Sequence, residues 1–448
     1  MRRALFPLAY GAAAALLFGY AVAPLPSEAQ APATQPSGRA DDVVRFRITN
    51  PGQALYKIAI PSVLGNGQAA AVMTEVLSAD LGVSGFFKIL DPKSFVADLA
   101  KEDVNLTPDA WKTVGAESVI KARVTESGGD LSVEFRLYEL VKGDQPVLGK
   151  TYRGPASDTR KLAHLFAAEV LRYFTAEDSF FYTQIAFARV EGRQQELSVM
   201  DWDGAGVRQV TRNGSQNYMP GWSPTGDSLL YTSFVRGAPD LWLIPSVGGK
   251  PKRISTRPGM NTGGVFSPNG GQIAATLSFE GNSEIYLLTP SGDIMKRLTN
   301  NPGIDSSPSY SPNGAQIAFV SDRYGSPQIW VMDTSGAGQR RLTTKGNYNQ
   351  EPSWAPKQIN GQSLVAFTGR DERGNFDIFT INVASGELAR LTEGKGSNSH
   401  PSWAPNARAV AFKSSRGGIW VTTFDGKSER QVYRGAAETP TWGPMRTP

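Results

Sequence analysis

The chain has 448 residues, 40% of them hydrophobic, which is room for two or three domains with sizeable cores. It contains no cysteine, which excludes a disulfide framework, a thiolate metal site and a lipid-acceptor cysteine. The formal charge of +5 comes partly from basic residues that recur once per repeat (Arg208, Lys252-Arg253, Lys296-Arg297, Arg340-Arg341, Arg390, Arg430), a pattern of solvated outer strands rather than of a nucleic-acid surface.

Met1-Arg2-Arg3, an apolar run to about Ala23 and a small-residue zone read as a signal peptide over residues 1–29. Cleavage after Ala29 or Ala31 fits. An uncleaved anchor is the competing reading, but Pro7, Gly11 and Gly19 interrupt the run. Residues 30–40 form a flexible leader. The expected location is the periplasm of a Gram-negative bacterium.

Residues 41–178 are expected to form an α/β domain. Val43–Thr49 and Tyr56–Ile60 read as strands, and Gly67–Leu81 as an amphipathic helix with Ala70, Met73, Val76, Leu77 and Leu81 on one face. Phe86–Leu90 is a short strand. Thr107 before Pro108 reads as a helix N-cap. Ser118–Glu126 and Leu131–Val141 form a hairpin, Val147–Arg153 adds a strand, and Ser157 or Asp158 caps a helix to about Phe174. Gly65-Asn66-Gly67-Gln68-Ala69-Ala70 resembles a dinucleotide loop, but Pro61 and further residues separate it from the strand, so a plain loop-to-helix turn is the better reading.

From Ser179 onward one unit recurs: Pro220–Pro224, Gly264–Pro268, Pro308–Pro312, Pro352–Pro356, Pro401–Pro405 and Pro440–Pro444, each with an aromatic at its centre. The second prolines are spaced by 44, 44, 44, 49 and 39 residues, the period of a β-propeller blade. Turn, strand, loop, strand, Gly turn and strand follow each unit, making four strands per blade. Thr183–Thr211 supplies three strands without a leading unit, and Pro440–Pro444 is such a unit with nothing after it. Joining them closes a six-bladed propeller over residues 179–448. Trp222, Phe266, Tyr310, Trp354, Trp403 and Trp442 hold one position in six copies, which assigns them to packing between blades.

No G-x-S-x-G nucleophile elbow occurs, and the chain is expected to end just after the closing strand, without a hydrolase domain. His164 and His400 are the two histidines. His164 lies mid-helix, where it packs or meets solvent. Asp333-Thr334-Ser335-Gly336 and Asp201-Trp202-Asp203-Gly204 are explained as hairpin turns. Asp305, Glu351, His400 and Glu438 can reach a central channel, where they would suit a cation or a peptide but form no recognisable catalytic set.

The polar stretches entering each first strand vary from blade to blade, as binding loops on a repeated scaffold do. They are Asn217-Tyr218, Met260-Asn261, Asp305-Ser306, Asn349-Gln350-Glu351, Asn398-Ser399-His400 and Glu438-Thr439. With Arg323, Arg370 and Arg416 as a rim, they are the expected partner-binding face.

The unit carried best by Pro308–Thr343 resembles the repeat of the TolB family, although peptidase propellers share it. The order of signal peptide, α/β domain and six repeats is similar to that family along nearly all of the mature chain. Val43-Val44-Arg45-Phe46-Arg47-Ile48 resembles the family's mature start. Gly264 for proline, Asn for Asp in the turns, and the insert Lys357–Ser363 depart from the pattern. The resemblance implies a non-enzymatic scaffold of the Tol–Pal system, without cofactor or metal. It implies the lipoprotein Pal as partner on the propeller face, TolA on the segment 43–48, and further Tol or outer-membrane proteins as candidates. It also implies a role in outer-membrane integrity and envelope constriction at division. A periplasmic hydrolase or lactonase, or a peptidase-like regulatory propeller, is the rival class.

Overall fold

Residues 55–65 and 67–446 are described by the computed structural model; the signal segment, the leader and Val43–Thr49 lie outside them. Among the described residues the chain forms one five-stranded sheet and six four-stranded sheets.

The first sheet comprises β1 (Tyr56–Ala59), β2 (Phe87–Ile89), β3 (Ser118–Ser127), β4 (Asp130–Glu139) and β5 (Leu148–Pro155), in the order β2-β1-β3-β4-β5. Its helices are α1 (Gln68–Val83), α2 (Leu99–Glu102), α3 (Pro108–Thr113) and α4 (Thr159–Thr175). Alternation along β4 buries Leu131, Val133, Phe135 and Leu137 against the apolar stripes of α1 and α4. Phe135 stacks on Phe166 of α4 with ring centres 4.6 Å apart.

Neither expected cap makes its side-chain bond: Thr107 and Asp158 stand at N-cap positions without one. The entry to α3 is held instead by Glu102 of the unanticipated α2. This carboxylate is buried, accepts from the Thr107 amide (2.8 Å) and the Trp111 indole (3.1 Å), and pairs with Lys121. Gly65 has a structural explanation too. Its φ is 129°, and a Cβ there would lie 2.3 Å from the Val124 carbonyl oxygen, because Leu64 exchanges backbone bonds with β3 just before α1.

The six blades surround a channel. The first blade takes its inner strand from the far end of the chain, β29 (Ala437–Trp442), followed by β6 (Gln184–Glu191), β7 (Gln194–Asp201) and β8 (Arg208–Gln209). The second contains β9 (Asn217–Trp222), β10 (Ser228–Ser233), β11 (Asp240–Pro245) and β12 (Lys252–Ser255). The third contains β13 (Asn261–Phe266), β14 (Ile273–Leu277), β15 (Glu284–Leu288) and β16 (Ile294–Arg297). The fourth contains β17 (Asp305–Tyr310), β18 (Gln316–Ser321), β19 (Gln328–Asp333) and β20 (Arg340–Arg341). The fifth contains β21 (Asn349–Trp354), β22 (Leu364–Arg370), β23 (Phe376–Asn382) and β24 (Leu388–Arg390). The sixth contains β25 (Asn398–Trp403), β26 (Ala409–Ser414), β27 (Ile419–Thr423) and β28 (Glu429–Tyr433).

The closure read from the repeats is therefore present: β29 pairs antiparallel with β6, Trp442 opposite Ile185. The central aromatics wedge between blades as their repetition implied. The Trp222 indole donates to the Thr441 carbonyl (3.0 Å) and that of Trp403 to the Ser353 carbonyl (3.0 Å), each on the preceding blade. One apolar core runs from α1 and α4 through Phe180 and Phe181 to Trp202, Trp442 and Ile419, so the helical layer, the first blade and the sixth share packing.

Candidate functional site

Each inner strand breaks its register halfway with a β-bulge. The residue at the break takes a left-handed conformation: Met219 (φ 51°), Gly263 (62°), Ser307 (54°), Glu351 (57°), His400 (55°) and Thr439 (47°). Five of the six are not glycine, and each such residue costs about 1–3 kcal/mol unless its surroundings enforce it. Neighbouring hydroxyls do so in part. The Ser307 amide donates to Thr276 (3.2 Å), that of Met219 to Thr439 (3.1 Å) and that of His400 to Thr368 (3.1 Å). The bulges form a collar around the channel, where the space enclosed is about 240 Å³. That is below the roughly 300–1,000 Å³ of ordinary small-molecule pockets.

Glu351 and His400, from adjacent blades, meet in this collar. Glu351 Oε1 lies 2.9 Å from His400 Nε2. Its Oε2 accepts from the His400 amide (2.7 Å) and the Thr368 hydroxyl (2.7 Å). Burial works to raise the Glu351 pKa, but the histidine and these hydrogen bonds outweigh it and hold the carboxyl below its ordinary range. A depressed carboxyl contributes stability above the ordinary value, lost as pH falls through the folded one. Glu351→Gln is therefore expected to cost about 1–3 kcal/mol at neutral pH and to flatten the acid limb of stability. Urea unfolding between pH 3 and pH 7 measures both.

The expected face is corrected at its first residues. Asn217, Asn261, Asp305, Asn349 and Asn398 are not loop residues: each opens an inner strand and is at most 3% exposed. The four asparagines tie each of their blades to the one before, whereas Asp305 accepts from Asn301 in the connecting loop and from Arg323 of its own blade. In the fifth blade, Asn349 Nδ2 donates to Gln328 Oε1 (2.8 Å), which also accepts from Thr343 (2.7 Å). Asn398 Nδ2 likewise donates to Asp377 Oδ1 (3.1 Å), which accepts from Thr392 (2.6 Å). Asn217 repeats the scheme with Glu196 and Thr211, and Asn261 accepts from Ser255 (2.6 Å). These asparagine amides are thus engaged within the ring rather than offered to a partner. The sixth copy has lost the set: Ala437 stands at the asparagine position, with Gly418 and Tyr433 opposite, and the Tyr433 ring instead packs 4.7 Å from Phe187.

Arg323 is also spent. It donates to Asp305 (2.9 Å), Gln339 (2.8 Å) and Ser321 (2.8 Å) and lies 4.4 Å above the Trp330 ring. Arg416 packs 3.8 Å over Trp420 and bonds Glu429 (2.9 Å). What remains open at the channel mouth is Tyr218, Met260, Ser306 and Glu438, half-buried, and the exposed Arg370. Burial, with Glu438 nearby, pushes the Tyr218 hydroxyl up to about 12, so it stays a neutral donor. Lys413, which pairs with Glu438, was missed from sequence. Its signal was a lysine where the matching positions are Thr232, Thr276, Val320 and Thr368.

A family model for the TolB amino-terminal domain matches residues 44–146, and one for the TolB beta propeller domain matches residues 171–446. The Tol-Pal system protein TolB of Anaeromyxobacter dehalogenans strain 2CP-C is 40% identical over 190 residues, 41% of this chain and 44% of that protein. The Tol-Pal system protein TolB of Cereibacter sphaeroides strain ATCC 17025 is 31% identical over 240 residues, 52% of this chain and 54% of that protein. The chain thus spans about half the length of the curated relatives it matches. The crystal structure of TolB from Acinetobacter baumannii shares the fold with a TM-score of 0.76 at 26% identity, over 88% of this chain and 98% of that one. With both family models in the order of the two layers, and the larger covering the whole ring, the chain belongs to the TolB family.

Proposed function

We propose that the chain is a periplasmic, non-enzymatic scaffold of the Tol–Pal system that binds the lipoprotein Pal at the channel mouth and offers residues 43–48 to TolA. Signal cleavage near residue 29, a leader to residue 40 and a domain division near residue 178 belong to the same reading. The observation that carries it is the mouth itself: Tyr218, Ser306, Lys413, Glu438 and Arg370 gather polar, accessible groups on a closed ring whose first and second strands hold them in fixed positions. Pal would link the chain to the outer membrane, supporting envelope integrity and constriction at division.

Immobilised chain carrying Glu438→Lys and Arg370→Glu is expected to capture Pal at least about tenfold less well, a loss of about 1.4 kcal/mol. Equal capture overturns the face. Deleting Val43–Thr49 is expected to abolish TolA capture. By reciprocity it alters Pal affinity only if segment and face are coupled.

One observation favours an enzyme instead: Glu351 and His400 are 2.9 Å apart in the channel. Yet both carboxylate oxygens already accept bonds, and burial with a lowered pKa suits an anchor better than a general base, whose pKa should lie near the working pH. Hydrolysis lost in Glu351→Gln with Pal capture intact would favour the enzyme.

A further inference from the structure

A second cluster of titratable groups lies far from the channel, where the helical layer meets the first blade. His164 on α4 and Asp80 on α1 are both buried, with the His164 Nδ1 2.7 Å from Asp80 Oδ2. The other Asp80 oxygen accepts from the Trp202 indole of the propeller at 3.1 Å. On its far side the imidazole faces the propeller again: Nε2 is 3.9 Å from Asp203 Oδ2, and among the described residues this buried nitrogen has no hydrogen-bond partner. Arg160 of α4 pairs with the same Asp203, and Arg430 of β28 lies 5.8 Å over the Trp202 ring. The charged groups facing the histidine are thus Asp80 from α1, Arg160 from its own helix and Asp203 from the turn after β7, with Arg430 behind the tryptophan.

We propose that His164 is a proton-operated clamp between the α/β layer and the propeller. Protonated, the imidazole donates from Nδ1 to Asp80 within its own layer and presents Nε2–H to Asp203 across the contact. Neutral, with its remaining proton toward Asp80, it turns a lone pair toward the Asp203 carboxylate, and the contact loses an attraction. Undocking leaves the His164–Asp80 pair together but removes Asp203, so the second carboxylate is what links docking to protonation.

The electrostatics run the same way. Burial alone would lower the imidazole pKa, but Asp80 and Asp203 outweigh it and hold it above its ordinary value; burial pushes Asp80 up to about 6. The two titrate as a coupled pair. Of the two carboxylates only Asp203 is withdrawn on undocking, so its contribution is what makes the docked state hold the imidazole proton more tightly than the undocked one. The clamp is therefore complete below the pKa of the undocked imidazole, which still has Asp80 beside it, and is lost as pH rises through the docked one. One proton changes the docking equilibrium by at most about tenfold per pH unit.

The chain has no native cysteine, so spin labels can be placed at Lys101→Cys and Arg193→Cys in the full chain. The expected result is a narrow distance distribution at pH 6 that broadens toward pH 8, with Asp203→Asn abolishing the pH dependence. His164→Gln, which cannot be protonated, is expected to show the pH 8 distribution at pH 6. Should that variant fail to fold, the imidazole nitrogen spectrum of the unsubstituted chain decides. With two histidines, His400→Gln assigns the signals. His164 is expected to titrate above its ordinary value and to fall toward it in Asp203→Asn. A distribution identical at pH 6 and pH 8, a pH response surviving Asp203→Asn, or an Nε2 still unprotonated at pH 6 overturns the clamp. A role confined to packing predicts an Asp203→Asn effect independent of pH.

Discussion

Trp442→Ala is expected to lower stability by about 3–5 kcal/mol, the range for removing a buried aromatic. Trp442 is 6% exposed, and its ring centre lies 5.1 Å from that of Phe180. Its indole donates to Thr183 (2.8 Å) and its amide to the Ser402 hydroxyl of the sixth blade (2.8 Å). The truncation therefore opens a cavity and strips Thr183 of a partner at the one blade built from both ends of the propeller segment. Trp222 holds the same repeat position and also makes one indole bond but is only half-buried, so Trp222→Ala should cost less. Guanidinium unfolding gives the two values, and limited proteolysis locates the opening. New cleavage is expected around residues 434–442 in Trp442→Ala alone. A loss under about 1 kcal/mol would mean that β29 is held by its ladder rather than by its tryptophan.

The ring was legible because a repeat multiplies its own signal. Five copies of Pro-x-aromatic-x-Pro and a sixth opening on Gly264 set the register of every blade, and the missing leading unit before Gln184 matched the unpaired one at Pro440. The family resemblance drawn from the same residues is borne out by both family models. The mouth was read less well because polarity alone does not separate a solvated asparagine from a buried, bonded one. A usable sign was present. Glu196, Gln328 and Asp377 each precede their hydroxyl partner by 15 residues and their asparagine by 21, a spacing that surface loops have no reason to keep. The His164 cluster carried no such sign. Its members lie 84 residues apart across α1 and α4, with Asp203 beyond them in a turn explained by hairpin chemistry alone. Contacts between unrepeated parts of a chain leave no period to find.

The ties between blades make the second large effect testable with its own internal contrast. Asp377→Ala is expected to cost about 3 kcal/mol, the lower end for removing one partner of a buried ion pair. Arg390, whose side chain is 8% exposed, loses that carboxylate but keeps Asp371 at 3.1 Å, which limits the damage. Thr392 and Asn398 lose their acceptor at the same time. At the seam between the sixth blade and the first, the same chemistry should have the opposite sign. Ala437→Asn would supply the residue used at four of the other five seams, but Gly418 offers no side-chain acceptor there and the Tyr433 ring fills the space against Phe187. An asparagine buried without partners costs about 1–3 kcal/mol. So Asn398→Ala and Ala437→Asn, exchanges in opposite directions at matching positions, are both expected to destabilise. Urea midpoints of the two variants decide it. If Ala437→Asn instead raises the midpoint, the seam can accept the polar tie, and its apolar packing is not what closes the ring.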